Sequence, residues 1–472
     1  MAIHEECGVY GICGSDKAAR ACYYGLFALQ HRGQESCGIA VNDDASINCV
    51  KGMGLVSEFF TAERLEGLCG DIAIGHVRYS TTGSSDPSNA QPLVTQYVKG
   101  TLSIVHNGNL TNAITLKRKL EEQGAIFHTT VDSEVIAYMI AKERTSAPSV
   151  EEAVRRVMGA IEGGYAIICM SPRKLIAARD PYGLKPLVMG RIKNEDGTDA
   201  IVFASETCAL DATGAELIRD VEPGEIIIAE GGRYKSMASG IKKPCSRCIF
   251  EYIYFARPDS VIDGVSVFDS RRRAGALLAR QYPVEADCVI GVPESGIDAA
   301  LGYSLESGIP YEKGFVKNSY VGRTFIKPSQ EERARSVMIK LNPITSAVKG
   351  KRVVMIDDSI VRGTTIANIV GLLRNSGAKE VHVRISSPPF IRPCFYGTDV
   401  PSCDRLIACK HTVEEIRDII GADSLGYLKV ESLGDMIGEE GHRYCDACFT
   451  GNYPNIDSGI DLLMEDGAKL EK

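Results

Sequence analysis

Val353-Val354-Met355-Ile356-Asp357-Asp358-Ser359-Ile360-Val361-Arg362-Gly363-Thr364-Thr365 is the stretch whose reading decides the fold of the second half of the chain. Val353 to Ile356 is a short β-branched run bounded by Lys351 and Arg352, as a buried parallel strand requires, and Ile366 to Asn375 restores a helical pattern. The residues between are a strand-to-helix loop. Gly363 permits close backbone approach, Ser359, Thr364 and Thr365 supply hydroxyls, and successive N–H groups at a helix N-terminus cradle phosphate. Asp357 and Asp358 suit ribose hydroxyls or a hydrated Mg²⁺. Two acidic residues alone would be an ordinary helix-capping loop; the thirteen-residue string says more.

Working outward, 472 residues exceed one typical core, so two large domains are expected. Apolar content of 44% and charged content of 24% place the chain among globular proteins, and a net charge of −8 argues against a nucleic-acid-binding surface. No apolar run reaches membrane-spanning length. Met1 to Glu6 has neither the basic nor the apolar region of a secretory signal, so a cytoplasmic location is expected. In that compartment the 16 cysteines are core residues, catalysts or metal ligands rather than disulfides. Cys22, Cys49, Cys169 and Cys208, in apolar or alternating segments, read as core.

Residues 7 to about 234 offer short strands broken by turns: Gly8 to Cys13, Ile72 to His76, Leu102 to Val105, Tyr165 to Met170, Ile201 to Ala204 and Glu225 to Ala229. Helical patterns at Ala19 to Gln30 and Asp132 to Lys142 interrupt them, which predicts α+β architecture with antiparallel sheets. From about Ser270 helices alternate with the strands Cys288 to Val292, Val353 to Ile356 and Val381 to Ile385, the rhythm of a doubly wound parallel sheet. Lys242 to Arg257 connects the halves, which are expected to pack on each other.

Cys7 precedes the first strand. If Met1 to Glu6 is removed, its thiol becomes a nucleophile and its own α-amine, of pKa about 8, the base. The segments Cys7-Gly8-Val9-Tyr10-Gly11-Ile12, Ala28 to Ile39 with His31-Arg32-Gly33-Gln34-Glu35, Gly75 to Thr81 and His106-Asn107-Gly108-Asn109-Leu110 resemble the landmarks of class II glutamine amidotransferases, which are N-terminal nucleophile (Ntn) hydrolases. The resemblance implies a four-layer Ntn domain in which Arg78 holds the glutamine α-carboxylate bidentately and Asp132 pairs with its α-ammonium. Asn107 and the Gly108 N–H would form the oxyanion hole. Singly, each residue has a plainer reading: Arg78 a surface strand position, Asn107-Gly108 a hairpin turn, Asp132 a helix cap.

The opening string in turn closely resembles the signature of type I phosphoribosyltransferases, whose substrate is phosphoribosyl pyrophosphate (PRPP). Gly291-Val292-Pro293-Glu294-Ser295-Gly296 would bind its pyrophosphate, with Ser295, Asp357 and Asp358 around one Mg²⁺ per subunit. The loop with Ser359, Arg362, Gly363, Thr364 and Thr365 would hold the ribose phosphate. The basic run Lys317, Arg323, Lys327, Arg333, Arg335 and Lys340 is expected to close over PRPP and exclude water.

A class II glutaminase followed by a type I phosphoribosyltransferase resembles the glutamine–PRPP amidotransferase family over nearly the whole chain, including Phe250 to Ser260. The resemblance implies a propeptide at 1–6, a glutaminase domain at 7–240, a phosphoribosyltransferase domain at 241–430 and a C-terminal segment at 431–472. It also implies purine nucleotide inhibitors and a homotetramer. Another class II acceptor, such as fructose 6-phosphate or aspartyl adenylate, or a PRPP-sensing regulator without activity, are the rival readings.

Cys245-x-x-Cys248 and Cys445-x-x-Cys448 have zinc-ligand spacing. The resemblance instead implies one [4Fe–4S] cluster per subunit on Cys248, Cys394, Cys445 and Cys448, with Cys245 spare. Four thiolates suit either ion.

Overall fold

The structure is a computed structural model that describes residues 7–44, 46–79, 86–318, 341–438, 441 and 443–455. Met1 to Glu6, Arg323, Lys327, Arg333, Arg335 and Lys340 lie outside these residues.

Two antiparallel sheets face each other in the first half. One has seven strands, among them Gly8–Cys13 between Ile72–Arg78 and Asp199–Ala204; the other has six, with Gly100–Leu110 beside Gly163–Met170. Strand alternation explains the layers, because successive side chains point to opposite faces. Val9, Ile74, Val105, Ala166, Ile168 and Phe203 interleave between the sheets. Tyr10, Ile12 and Val41 point outward under the helices Ala18–Ala28 and Thr207–Thr213, and Ile104, Tyr165 and Ile167 under Asp132–Arg144 and Val150–Met158. The result is the expected helix–sheet–sheet–helix stack. The helices Ala113–Glu121, Val150–Met158 and Thr207–Thr213 are additions to the two that the periodicity predicted. Cys22, Cys169 and Cys208 are core as expected, whereas Cys49 is only partly buried.

The second half carries the parallel sheet Cys288–Gly291, Arg352–Asp357, Glu380–Ile385 and Ser424–Tyr427, with apolar clusters on both faces. Burial on both faces is why these strands read as continuous apolar runs. The helices Val267–Gln281 and Gly296–Ser307 cross at backbone contact. A Cβ on Gly275 would stand 1.8 Å from the Ala299 carbonyl oxygen, and one on Gly302 1.9 Å from that of Arg272. An antiparallel ribbon, Phe315–Lys317 with Leu341–Pro343, forms the base of the basic segment.

The halves pack together as expected. Arg179 of the glutaminase half, itself buried, is bidentate to Asp263, and Asn109 Nδ2 donates to the Phe395 carbonyl at 2.8 Å.

Because backbone cannot move aside as a flexible side chain can, G302A is expected to cost about 1–3 kcal/mol. The measurement is the unfolding midpoint of the full-length variant in urea, read beside the parent.

Candidate functional site

Cys7 is buried, and its Sγ lies 3.6 Å from the Tyr79 carbonyl oxygen. Register explains this: Gly8 pairs with Val77 and Ser36 with Arg78, so Cys7 meets the end of the strand that carries Arg78. Arg78 is only 2% exposed, which excludes the surface reading. Asn107 and Gly108 lie inside the strand Gly100–Leu110, opposite Ala166 and Tyr165, which excludes the hairpin-turn reading. Gly108 has φ +137°, and a Cβ there would meet the Gly164 carbonyl oxygen at 2.0 Å, so no other residue fits. His76, paired with Val9, reaches across the sandwich to the His106 carbonyl at 3.0 Å and ties the two sheets one residue from Asn107.

Asn107 is 1% exposed, yet neither atom of its amide has a partner among the described residues. A buried unpaired amide is costly unless a ligand completes it. Asp132 opens the helix Asp132–Arg144, but its carboxylate turns away from capping and accepts from the Leu110 N–H at 2.9 Å, with His106 Nδ1 at 3.4 Å. Burial opposes its charge, but His106 and the Leu110 and Ser133 N–H groups outweigh that and hold the carboxyl below the usual range. Burial pushes His76 down to about 3, so that ring is neutral at ordinary pH.

Arg32 was quoted in the sequence motif without a role. Its guanidinium, 1% exposed, donates to the Cys7 carbonyl at 3.0 Å, to Glu206 at 2.7 Å and to Glu251 at 2.6 and 2.9 Å. Glu206 also meets His31, the Ser260 hydroxyl and the Arg257 N–H. Burial alone would raise the Glu206 pKa, but His31 and Arg32 drive it well below the carboxylate range. An arginine in the turn between the helix Ala18–Ala28 and the strand Ser36–Asp43 carries no periodic signal, and its partners Glu206 and Glu251 lie far away in the chain.

In the second half the strand Arg352–Asp357 delivers Asp357 and Asp358 to the loop, and Gly363, at φ +79°, turns the chain into the helix Thr364–Asn375. The Ser295 hydroxyl donates to Asp358 at 2.5 Å, and Ser359 donates to the other Asp358 oxygen. The Ser295 loop and the Asp357–Thr365 loop are thus joined at one carboxylate. Close approach is possible because a Cβ on Gly296 would fall 2.3 Å from the Ile356 carbonyl oxygen. Burial and the adjacent Asp358 push the Asp357 carboxyl well up, as expected of paired acids without a cation. Arg362 Nε is buried with no partner among the described residues, on the loop expected to meet phosphate. Lys317, at the ribbon base, lies 3.6 Å from Glu294 of the other loop.

Cys248, Cys394, Cys445 and Cys448 line one cavity with Leu184, Lys185, Phe250 and Tyr396. Cys248 pairs in register with Cys445, and the Ile391 and Arg392 N–H groups donate to the Cys448 carbonyl at 3.0 and 3.1 Å. Cys245 is not among the lining residues, so the naive Cys245/Cys248/Cys445/Cys448 quartet is not the one assembled. Among the described residues no three His, Cys, Asp or Glu side chains are grouped to hold a single metal ion. Burial drives the Cys445 thiol up to about 12 and, with the neighbouring cysteines, raises the Cys448 thiol too.

The description "Glutamine amidotransferase domain" matches residues 76–212, and "Phosphoribosyl transferase domain" matches residues 267–386. Fold and site thus define a class II glutamine amidotransferase joined to a phosphoribosyltransferase. The amidophosphoribosyltransferase of Bacillus subtilis is 49% identical over 96% of this chain and 94% of its own, and that of Methanocaldococcus jannaschii 48% identical over 95% and 97%. The chain belongs to the amidophosphoribosyltransferase family. A solved structure of the B. subtilis glutamine PRPP amidotransferase complexed with ADP and GMP superposes with a TM-score of 0.88 at 48% identity, covering 95% of this chain and 97% of that one. A second, described as the allosteric regulatory enzyme of purine biosynthesis, gives 0.89 at 48% identity over 95% and 96%.

Removing the Arg32 charge leaves two buried carboxylates facing each other, so R32M is expected to lose about 3–5 kcal/mol of stability. Urea unfolding of R32M beside E206Q/R32M checks the cause: neutralising Glu206 should recover part of the loss.

Proposed function

We propose that Cys7 and the phosphate loops perform the two half-reactions of a glutamine-dependent amidophosphoribosyltransferase, the first committed step of purine synthesis. PRPP and glutamine give 5-phosphoribosylamine, pyrophosphate and glutamate. After removal of residues 1–6, the Cys7 α-amine takes the thiol proton and Sγ attacks the glutamine side-chain amide. Arg78 pairs with the α-carboxylate of glutamine and Asp132 with its α-ammonium. Asn107 and the Gly108 N–H take the charge of the tetrahedral oxygen; ammonia leaves, and water hydrolyses the thioester. The unpaired buried amide of Asn107 is the observation that carries this reading.

Ammonia passes to the second site and attacks C1 of PRPP, expelling pyrophosphate. The Ser295 loop holds pyrophosphate; Ser359, Arg362, Gly363, Thr364 and Thr365 hold the ribose phosphate; and the segment from Lys317 to Lys340 excludes water. Ser295, Asp357 and Asp358 offer the hard oxygens that one Mg²⁺ per subunit prefers, and the ion neutralises substrate phosphates when bound. Purine nucleotides, which share the ribose phosphate, compete for this loop as feedback inhibitors; the solved relatives, one complexed with ADP and GMP and one described as an allosteric regulatory enzyme, support that.

Cys248, Cys394, Cys445 and Cys448 hold one [4Fe–4S] cluster per subunit. Four cysteines lining one apolar cavity offer the all-thiolate donor set that such a cluster takes. The cluster would pin the C-terminal segment to the junction. The protein acts in the cytoplasm as a homotetramer, and exposed Tyr24 and Phe27 on the helix Ala18–Ala28 offer an apolar surface for assembly. Among the described residues no helix is long and apolar enough to cross a membrane.

Anaerobically prepared protein with glutamine, Mg²⁺ and PRPP is expected to release glutamate and pyrophosphate one for one, with little free ammonia. Glutamate without PRPP consumption would overturn the acceptor assignment. N107A should lower glutamine-dependent turnover by about 10²–10³-fold while ammonia-dependent turnover persists. Metal analysis is expected to return iron and sulfide, about four of each per chain, and C394S should lose them; stoichiometric zinc would refute the cluster.

A further inference from the structure

Two cysteines outside the four-cysteine cavity converge on a single atom. Cys403 Sγ lies 3.2 Å and Cys409 Sγ 3.3 Å from the Ile391 carbonyl oxygen. They sit on consecutive short turns, Cys403–Arg405 and Ile407–Cys409, and the extended backbone of Leu406 between the turns lets both reach one oxygen. Both are half-buried, between exposed Asp404, Arg405 and Lys410.

We propose that Cys403 and Cys409 form a reversible dithiol–disulfide switch, separate from the cluster cysteines and acting on the PRPP loop. The oxidant is a low-molecular-weight disulfide. Cys403 attacks one of its sulfurs and releases the first thiol. Cys409 then attacks the mixed disulfide and releases the second. Two protein thiols lose two protons and two electrons, and one small disulfide becomes two small thiols. Cys403 is the attacking group: its sulfur lies on the side of the exposed Asp404 and Arg405, with Arg392 Nη1 3.9 Å away. Cys409 is the resolving group: burial and Cys403 itself push its thiol up to about 12.

The link to the substrate loop is direct. Ile407, between the two cysteines, donates its N–H to the Val361 carbonyl at 2.9 Å, and its Cδ1 would lie 2.7 Å from a Cβ on Gly363. A disulfide holds its sulfurs at about 2.05 Å, so closing it draws in the segment that props Val361 and Gly363. On the other side, Ile391 and Arg392 bond to the Cys448 carbonyl, so the same motion bears on the chain entering Cys394.

The test uses full-length protein kept free of oxygen and exposed to oxidised glutathione, then alkylated, digested and mapped by mass spectrometry. The expected result is loss of alkylation at Cys403 and Cys409 together, a peptide pair linked between them, and reversal by dithiothreitol. With ammonia as nitrogen donor, the KM for PRPP should rise several-fold, while labelling of Cys7 by a glutamine-analogue alkylator stays unchanged. C403S and C409S should each abolish both the linkage and the shift in KM. Full alkylation of both thiols after exposure, when exposed Cys69 has been glutathionylated, would overturn the proposal. Linkage of either residue to another cysteine would overturn it too, as would an undiminished KM shift in C403S. Absorbance at visible wavelengths, followed in the same sample, separates these outcomes from cluster loss.

Discussion

The buried guanidinium of Arg32 ties Cys7 to the junction between the two halves of this enzyme. Arg32 grips the carbonyl of Cys7, the carboxylate of Glu206 in the glutaminase half and that of Glu251 at the junction. Two carboxylates and one arginine out of water are stable only as a complete set, since any missing member strands charge in a low-dielectric interior. The position of Cys7 is therefore tied to the junction segment that packs beneath the parallel sheet. His31, Ser260 and the Arg257 N–H complete Glu206, so the constraint extends into Phe250 to Ser260.

A second connection runs through Phe395-Tyr396-Gly397. This segment follows Cys394 and lies against the strand Gly100–Leu110: Asn109 donates to the Phe395 carbonyl, and a Cβ on Gly397 would come within 2.9 Å of the Gly108 carbonyl carbon. The four-cysteine cavity and that strand thus share one short piece of backbone. Coupling two chemistries that must fire in sequence needs such contiguous packing, because a rigid path transmits small displacements that a solvated linker would absorb.

Much of this was legible in the residues. The strand runs around Val9, Ile74, Val105 and Ile168 are short and broken by glycine and aspartate turns, and the second half alternates helices with unbroken β-branched runs, so the antiparallel and parallel sheets announced themselves. The loop from Asp357 to Thr365 was legible because a turn from buried strand straight into helix takes a glycine at positive φ between the two patterns. The helices Ala113–Glu121 and Val150–Met158 were missed because short amphipathic runs resemble turns in a strand-rich context. The plain readings of Arg78 and of Asn107-Gly108 failed for a tertiary reason: both lie inside strands buried by a second sheet.

The sequence by itself determined the two architectures, since each rests on local periodicity or on residues close in the chain. Which cysteines meet was decided only in three dimensions: Cys248 joins Cys394, Cys445 and Cys448 while its near neighbour Cys245 does not. The same holds for Arg32 with Glu206 and Glu251, for Ser295 with Asp358 and for Cys403 with Cys409 at Ile391. Spacing along a chain specifies what a turn of helix or strand can bring together, but burial chooses partners across the fold, where each polar group must find another or remain unpaired at a cost.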